Sequence, residues 1–259
     1  MALVSATQEI LKLVEQETGT PVEVLADPSI GVLAKVRMAR GKAPAHLITY
    51  NPTKRGADYN IAYECGFILR LYENPPEARF EFAGSESGRK SVRRALFEKK
   101  QIKRMGLPET AVRELADKMF DGLMTQLRSL PIGLRIDKWL WDAHPDLREM
   151  QKESIMRQQQ DNVQTLGPQI SEITASSVFF ANVSMNLAFA IFFDRLIGRD
   201  LYAVPYRSAG FEYVGERLLE IIEDEIPSDA QHDVALIDAW ADELKISDWY
   251  QWIPIKQDR

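Results

Sequence analysis

Between residues 63 and 67 the chain reads Tyr63-Glu64-Cys65-Gly66-Phe67, a carboxylate between two aromatic residues four positions apart. Side chains at i and i+4 share one face of a helix. Two histidines at that spacing hold zinc, while the glutamate after the first polarises the attacking water. Here Glu64 has the place of that base, but the two donor positions hold Tyr63 and Phe67. Phenylalanine has no lone pair, and a neutral phenol is a poor ligand. Only His46, His144 and His232 occur elsewhere, and none forms a second such helix. The expectation is a helix with hydrolytic spacing and no catalytic residue: Glu64 vestigial, and no metal or other cofactor.

The residues around this helix give the reading a context. An apolar strand, His46-Leu47-Ile48-Thr49-Tyr50, ends at the turn Asn51-Pro52, and Asp58 is placed to cap the helix that follows. Ile61, Cys65, Ile68 and Tyr72 form a core-facing stripe, with Tyr63, Phe67 and Arg70 on the neighbouring face. This order of helix, small sheet, edge strand and Y-E-C-G-F helix resembles the zincin-like metallopeptidases of the ImmA/IrrE kind over roughly the first half of the chain. The resemblance implies a pseudo-peptidase. Active relatives bind substrate as an added strand beside the edge strand. A dead site keeping that groove would bind an extended protein segment, with His46, Tyr50, Tyr63, Glu64, Phe67 and Arg70 forming it. The resemblance also implies a regulatory or phage-defence role with a protein partner.

An active enzyme of this kind needs a third, acidic ligand from a later helix, and Asp137, following Pro131, is a plausible position. A metal-dependent peptidase with an unconventional site would have to use Glu64, Asp137 and His144. A salt bridge from Asp137 to Arg135, Lys138 or Arg70 is the simpler expectation. Cys65 lies on the apolar stripe, as a buried structural thiol does. Gly84-Ser85-Glu86-Ser87-Gly88-Arg89-Lys90 lacks phosphate-loop spacing and reads as a flexible surface loop.

A second feature is electrostatic. Arg89, Lys90, Arg93, Arg94, Lys99, Lys100, Lys103 and Arg104 lie close together against the single acid Glu98, in a chain whose formal net charge is −6. Such a run can neutralise phosphates, which makes a nucleic-acid-contacting accessory protein a further alternative. The simpler reading is a solvated helix balanced by Glu220, Glu223, Asp224 and Glu225.

With 259 residues, 45% of them apolar, the chain can bury one large core or two modest ones. One cysteine excludes an intrachain disulfide, and Met1-Ala2-Leu3-Val4 leads into an amphipathic segment, so a cytoplasmic location is expected. Residues 173–193 carry no charge but contain serines and asparagines and have acidic flanks, which fits a buried helix and no membrane span. The fold class expected is α+β. A small three-stranded N-terminal sheet, from Val22-Leu25, Val32-Met38 and His46-Tyr50, packs on the zincin-like helix, and a large all-helical part follows. The break between a degenerate zincin-like region, 1–105, and a helical region, 106–259, that shares one core with it is placed after the basic run. Helices are expected from Thr110 to Leu130, from Pro131 to His144, and over 147–163, 169–197, 211–226 and 229–244. An aromatic tail, Trp249 to Ile253, docks at the end.

Overall fold

The computed structural model describes residues 3–255. The fold is α+β, as the pattern predicts, and divides into two compact units. The first comprises the chain up to Arg79, Gly133–Gln158 and the stretch from Pro254 on; the second comprises Phe80–Ile132 and Gln159–Ile253. The division does not fall at 105/106. The chain passes from one unit to the other inside two helices.

In the first unit, helix α1 (Ser5–Thr18) buries Ile10 and Val14 and ends at Gly19, whose φ of 65° is the left-handed cap that glycine adopts without strain. Three strands follow: β1 (Val22–Ala26), β2 (Ala34–Arg37) and β3 (His46–Tyr50). Their order is β1-β3-β2, with β3 parallel to β1 and antiparallel to β2. The strand expected at the edge is therefore the central one. The alternation of turns in the sequence locates strands but does not order them.

Helix α2 (Ala57–Glu73) buries Ile61, Cys65 and Ile68 completely. Asp58 does not cap it. The position before the helix is Gly56, at φ 83°, and the Asp58 carboxylate accepts the Val4 N–H at 2.7 Å, tying α1 to α2.

In the second unit, β4 (Phe80–Gly84) and β5 (Tyr250–Pro254) form a two-stranded sheet, so the aromatic tail is a strand. The expected surface loop at 84–90 is the start of helix α3 (Glu86–Glu98), capped by the Ser85 hydroxyl, which accepts the Gly88 N–H at 3.1 Å. Helix α4 (Lys100–Met105) follows directly. Helix α5 (Glu109–Ala143) then runs unbroken through Pro131. A proline inside a helix removes one backbone hydrogen bond and costs about 3 kcal/mol. Fully buried Leu127 before it and Leu134 after it supply packing that keeps the helix continuous.

After α6 (Arg148–Val163), the span expected as one helix over 169–197 is two, α7 (Pro168–Ile173) and α8 (Ser176–Ile197), separated at Thr174-Ala175. Helix α8 is long and apolar enough to cross a membrane, yet Val183 through Asp194 are buried within the protein. Its amide groups find partners: Gln126 donates to Asn186 at 2.8 Å and Asn182 to Gln126 at 2.7 Å. Three short helices complete the unit: α9 (Val204–Ser208), α10 (Glu212–Glu220), extended by a π turn at Ile221–Glu225, and α11 (Asp233–Glu243).

Candidate functional site

Two close approaches of α2 to the 133–137 stretch of α5 shape the site. A β-carbon at Gly66 would meet the Ile136 side chain, and one at Gly133 would meet Tyr63, with the ring Cζ 3.1 Å away. The Tyr63 ring sits edge-on to Phe67, 5.3 Å between centroids, and 6.0 Å from Tyr59. Aromatic side chains therefore fill the face where ligands would stand, and the phenol end of Tyr63 lies on the backbone of Gly133.

Behind this face lies a buried polar cluster. Asp137, 2% exposed, accepts the Tyr59 hydroxyl at 2.7 Å, and Gln151 donates to its carboxylate at 3.0 Å and to its backbone carbonyl at 2.9 Å. These bonds replace the expected salt bridge; Lys138 pairs with Asp142 instead. Burial raises the Asp137 carboxyl to about 7, although both hydrogen bonds favour its charged form. Burial likewise lifts the Tyr59 and Tyr63 phenols well above their usual range, and the charges of Asp137 and Glu64 add to the effect. A neutral phenol is a poor metal ligand.

The residues present do not fit a catalytic metal. Among the described residues no three His, Cys, Asp or Glu side chains come together as ligands, so Glu64, Asp137 and His144 do not converge. His144 instead stands edge-on to Trp139 at 5.1 Å, and burial lowers its affinity for a proton. Burial also pushes the Cys65 thiol up to about 12, which removes it as a nucleophile at neutral pH.

One turn further along α2 the surface opens into a cleft of about 380 Å³. Leu13 of α1, Leu69 and Arg70 of α2, and Trp139 of α5 form its walls, with Glu17 and Glu73 adding negative charge at exposed positions. Of the six residues expected to form a groove, only Arg70 lines it. His46 is fully buried, its Nδ1 accepting the Ala39 N–H at 3.0 Å and its ring edge-on to Tyr72. Tyr50 pairs with Ala26 on one side and Ala34 on the other. Tyr63, Glu64 and Phe67 are half-buried outside the cleft lining.

Sequence reasoning missed Tyr59, Gly133, Gln151 and Trp139. Tyr59 was within reach of it, since it extends the Tyr63–Phe67 face by one turn. Nothing local marks Gln151.

The basic run divides in two. Arg93 makes two bonds of 2.7 Å to Asp117, whose carboxyl they hold below the usual carboxylate range; Arg89 reaches Asp121 at 2.7 Å and lies over the Phe120 ring. Lys99 donates to the Ser171 carbonyl at 2.9 Å. Lys90, Arg94, Lys100, Lys103 and Arg104 remain exposed.

Comparison with known proteins finds no matching family profile, no matching curated protein and no matching solved structure.

Proposed function

We propose that the chain is a catalytically inactive, zincin-like binding protein whose N-terminal unit takes up a peptide segment of a protein partner in the cleft lined by Leu13, Arg70 and Trp139. The observation that carries this reading is the contrast between two neighbouring regions of α2. At the hydrolytic spacing, Tyr63 and Phe67 fill the face and Tyr63 is seated on Gly133. One turn away, a cleft of about 380 Å³ remains open. Binding pockets fall in the range of roughly 300–1,000 Å³, with apolar walls and a few placed polar groups. Leu13, Leu69 and Trp139 provide such walls, and the exposed acids Glu17 and Glu73 can orient cationic groups of a peptide.

The β3 strand is paired on both sides, so the partner segment is not an added strand beside His46–Tyr50. The position of Asp137 beside the Tyr63 face supports the zincin resemblance, since that is where a third ligand is expected. The regulatory or phage-defence setting rests on the resemblance alone.

The test is panning of a random peptide display library on the purified protein, followed by calorimetry on the enriched peptides. The reading predicts peptides that bind intact and lose about tenfold or more in affinity on Leu13→Glu or Trp139→Ala, as anchors of an interface do. Cleavage of any of them that disappears in Glu64→Gln, or binding indifferent to both cleft variants, would sink it.

A further inference from the structure

We infer that the exposed face of α3 and α4 is a sequence-independent contact for the phosphate backbone of a nucleic acid. The inference does not depend on the cleft, since every residue it uses lies in the second unit.

Helix α3 has two faces. Gly88, Val92 and Leu96 are buried, while Ser87, Lys90, Ser91 and Arg94 recur at helical spacing on the exposed side. On such a face, residues three and four apart are neighbours at about 5–6 Å. Helix α4 repeats the arrangement in one turn, burying Ile102 and exposing Lys100, Lys103 and Arg104.

The cations that serve the fold can be separated from those that do not. Arg89, Arg93 and Lys99 are engaged by Asp121, Asp117 and the Ser171 carbonyl. No side-chain hydrogen bond or ion pair involves Lys90, Arg94, Lys100, Lys103 or Arg104 among the described residues.

Three of the four acids that might have balanced them have other partners. Arg195 pairs with Glu216 and Glu223, both at 2.7 Å, and Arg217 pairs with Glu220 and Glu225. Glu220, Glu223 and Glu225 are thus engaged by Arg195 and Arg217, and none of them pairs with the five exposed cations.

The chemistry of the face selects the partner. Between Lys90 and Arg94 stands a serine, and Phe97, the aromatic side chain one turn on from Arg94, is half-buried, so the fully exposed part of that side of α3 is polar. Lysine, arginine and serine are side chains that contact phosphate oxygens. Exposed Met105 ends α4 next to Arg104, and exposed Leu107 follows the helix. The face has no base-reading geometry, so its binding is electrostatic.

The experiment is fluorescence anisotropy of a labelled DNA duplex of about 20 base pairs titrated with the whole chain over a range of salt concentrations. The expected result is affinity independent of duplex sequence, with log K falling linearly against log salt. Lys90→Ala/Arg94→Ala should weaken binding to every duplex alike and make the salt slope shallower by about two. These two side chains have no partner in the fold, so the unfolding midpoint should stay put, which separates lost binding from lost structure. Lys12→Ala/Lys54→Ala, the same charge change in the first unit, should bind as the wild type does. The inference is overturned if the duplex does not bind at low salt, or if both double variants lose affinity equally. Tighter binding to polyglutamate or to phosphatidylserine-containing vesicles than to duplex would also overturn it, assigning the face to an acidic protein or a membrane.

Discussion

The hydroxyl of Tyr63 occupies the space that a β-carbon on residue 133 would need, so α2 and α5 meet through a tyrosine resting on a glycine. That contact joins two properties of the site. It seats an aromatic ring at the position where the zincin resemblance would put a metal ligand, and it brings α5 near enough for Asp137 to reach Tyr59.

Gly133→Ala should therefore destabilise the protein although alanine is the better helix former. Overpacking of a core contact costs about 1–3 kcal/mol, against roughly 1 kcal/mol gained in helix propensity. Tyr63→Phe removes the offending oxygen and should recover much of the loss. A double-mutant cycle by urea denaturation measures the coupling; a stable Gly133→Ala protein, or no recovery in the double variant, contradicts the contact.

Asp137 predicts a pH dependence with a definite sign. Its folded carboxyl titrates near 7, above the ordinary value of 3.8, so the folded state holds a proton that the unfolded state has released. The protonated cluster is at full strength below about pH 4 and loses stability as pH rises to about 7, by at most about 1.4 kcal/mol per unit. Asp137→Asn cannot titrate. Measured against wild type, it should be relatively more stable at pH 7.5 than at pH 5; a constant difference across that range would show that Asp137 is ionised throughout.

Neighbouring arginines on α3 should behave differently. Arg93 holds Asp117 through two bonds, with about a third of each side chain exposed, so Arg93→Ala should lower the melting temperature by a small but measurable amount. Arg94→Ala should stay within about 0.5 kcal/mol of wild type, as surface changes without partners do. Thermal denaturation of both variants decides; equal effects would remove the distinction between structural and free cations.

The zincin resemblance itself can be tested by restoring what it says was lost. Tyr63→His/Phe67→His puts two imidazoles one turn apart on α2, and a zincin geometry makes Asp137 the third ligand. Near-stoichiometric zinc by elemental analysis, lost again on adding Asp137→Ala, is the expected outcome. Zinc held as well without Asp137 would mean an isolated helix pair of histidines and no family relationship.

What was legible in the sequence was mostly local. Ile61, Cys65 and Ile68 announced the buried side of α2 because helical periodicity is a short-range signal, and all three are fully buried. Turn residues located the three strands, but the central place of β3 depends on pairings between distant segments. Pro131 marked a helix boundary by local rules, and packing by Leu127 and Leu134 overrode it. The Arg93–Asp117 pair joins residues 24 apart on different helices, and neither residue type hints at the other. Asp137 was singled out as a ligand position; that it would meet Tyr59 and Gln151 was not readable.

The division of the chain into non-contiguous units has a consequence for synthesis. Helix α2 emerges from the ribosome well before its partners: Gly133 and Ile136 against its glycine and tyrosine, Ser154 bonded to Asn60 at 3.0 Å, and the Met150 carbonyl against Gly56. Until Gln158 has been made, the N-terminal segment has a sheet and two helices with one side uncovered, exposing apolar surface of the kind that chaperones bind. A fragment ending at residue 105 would stay in that condition permanently. The segment up to Arg79 must wait unfinished while Phe80–Ile132 of the second unit is translated ahead of Gly133–Gln158.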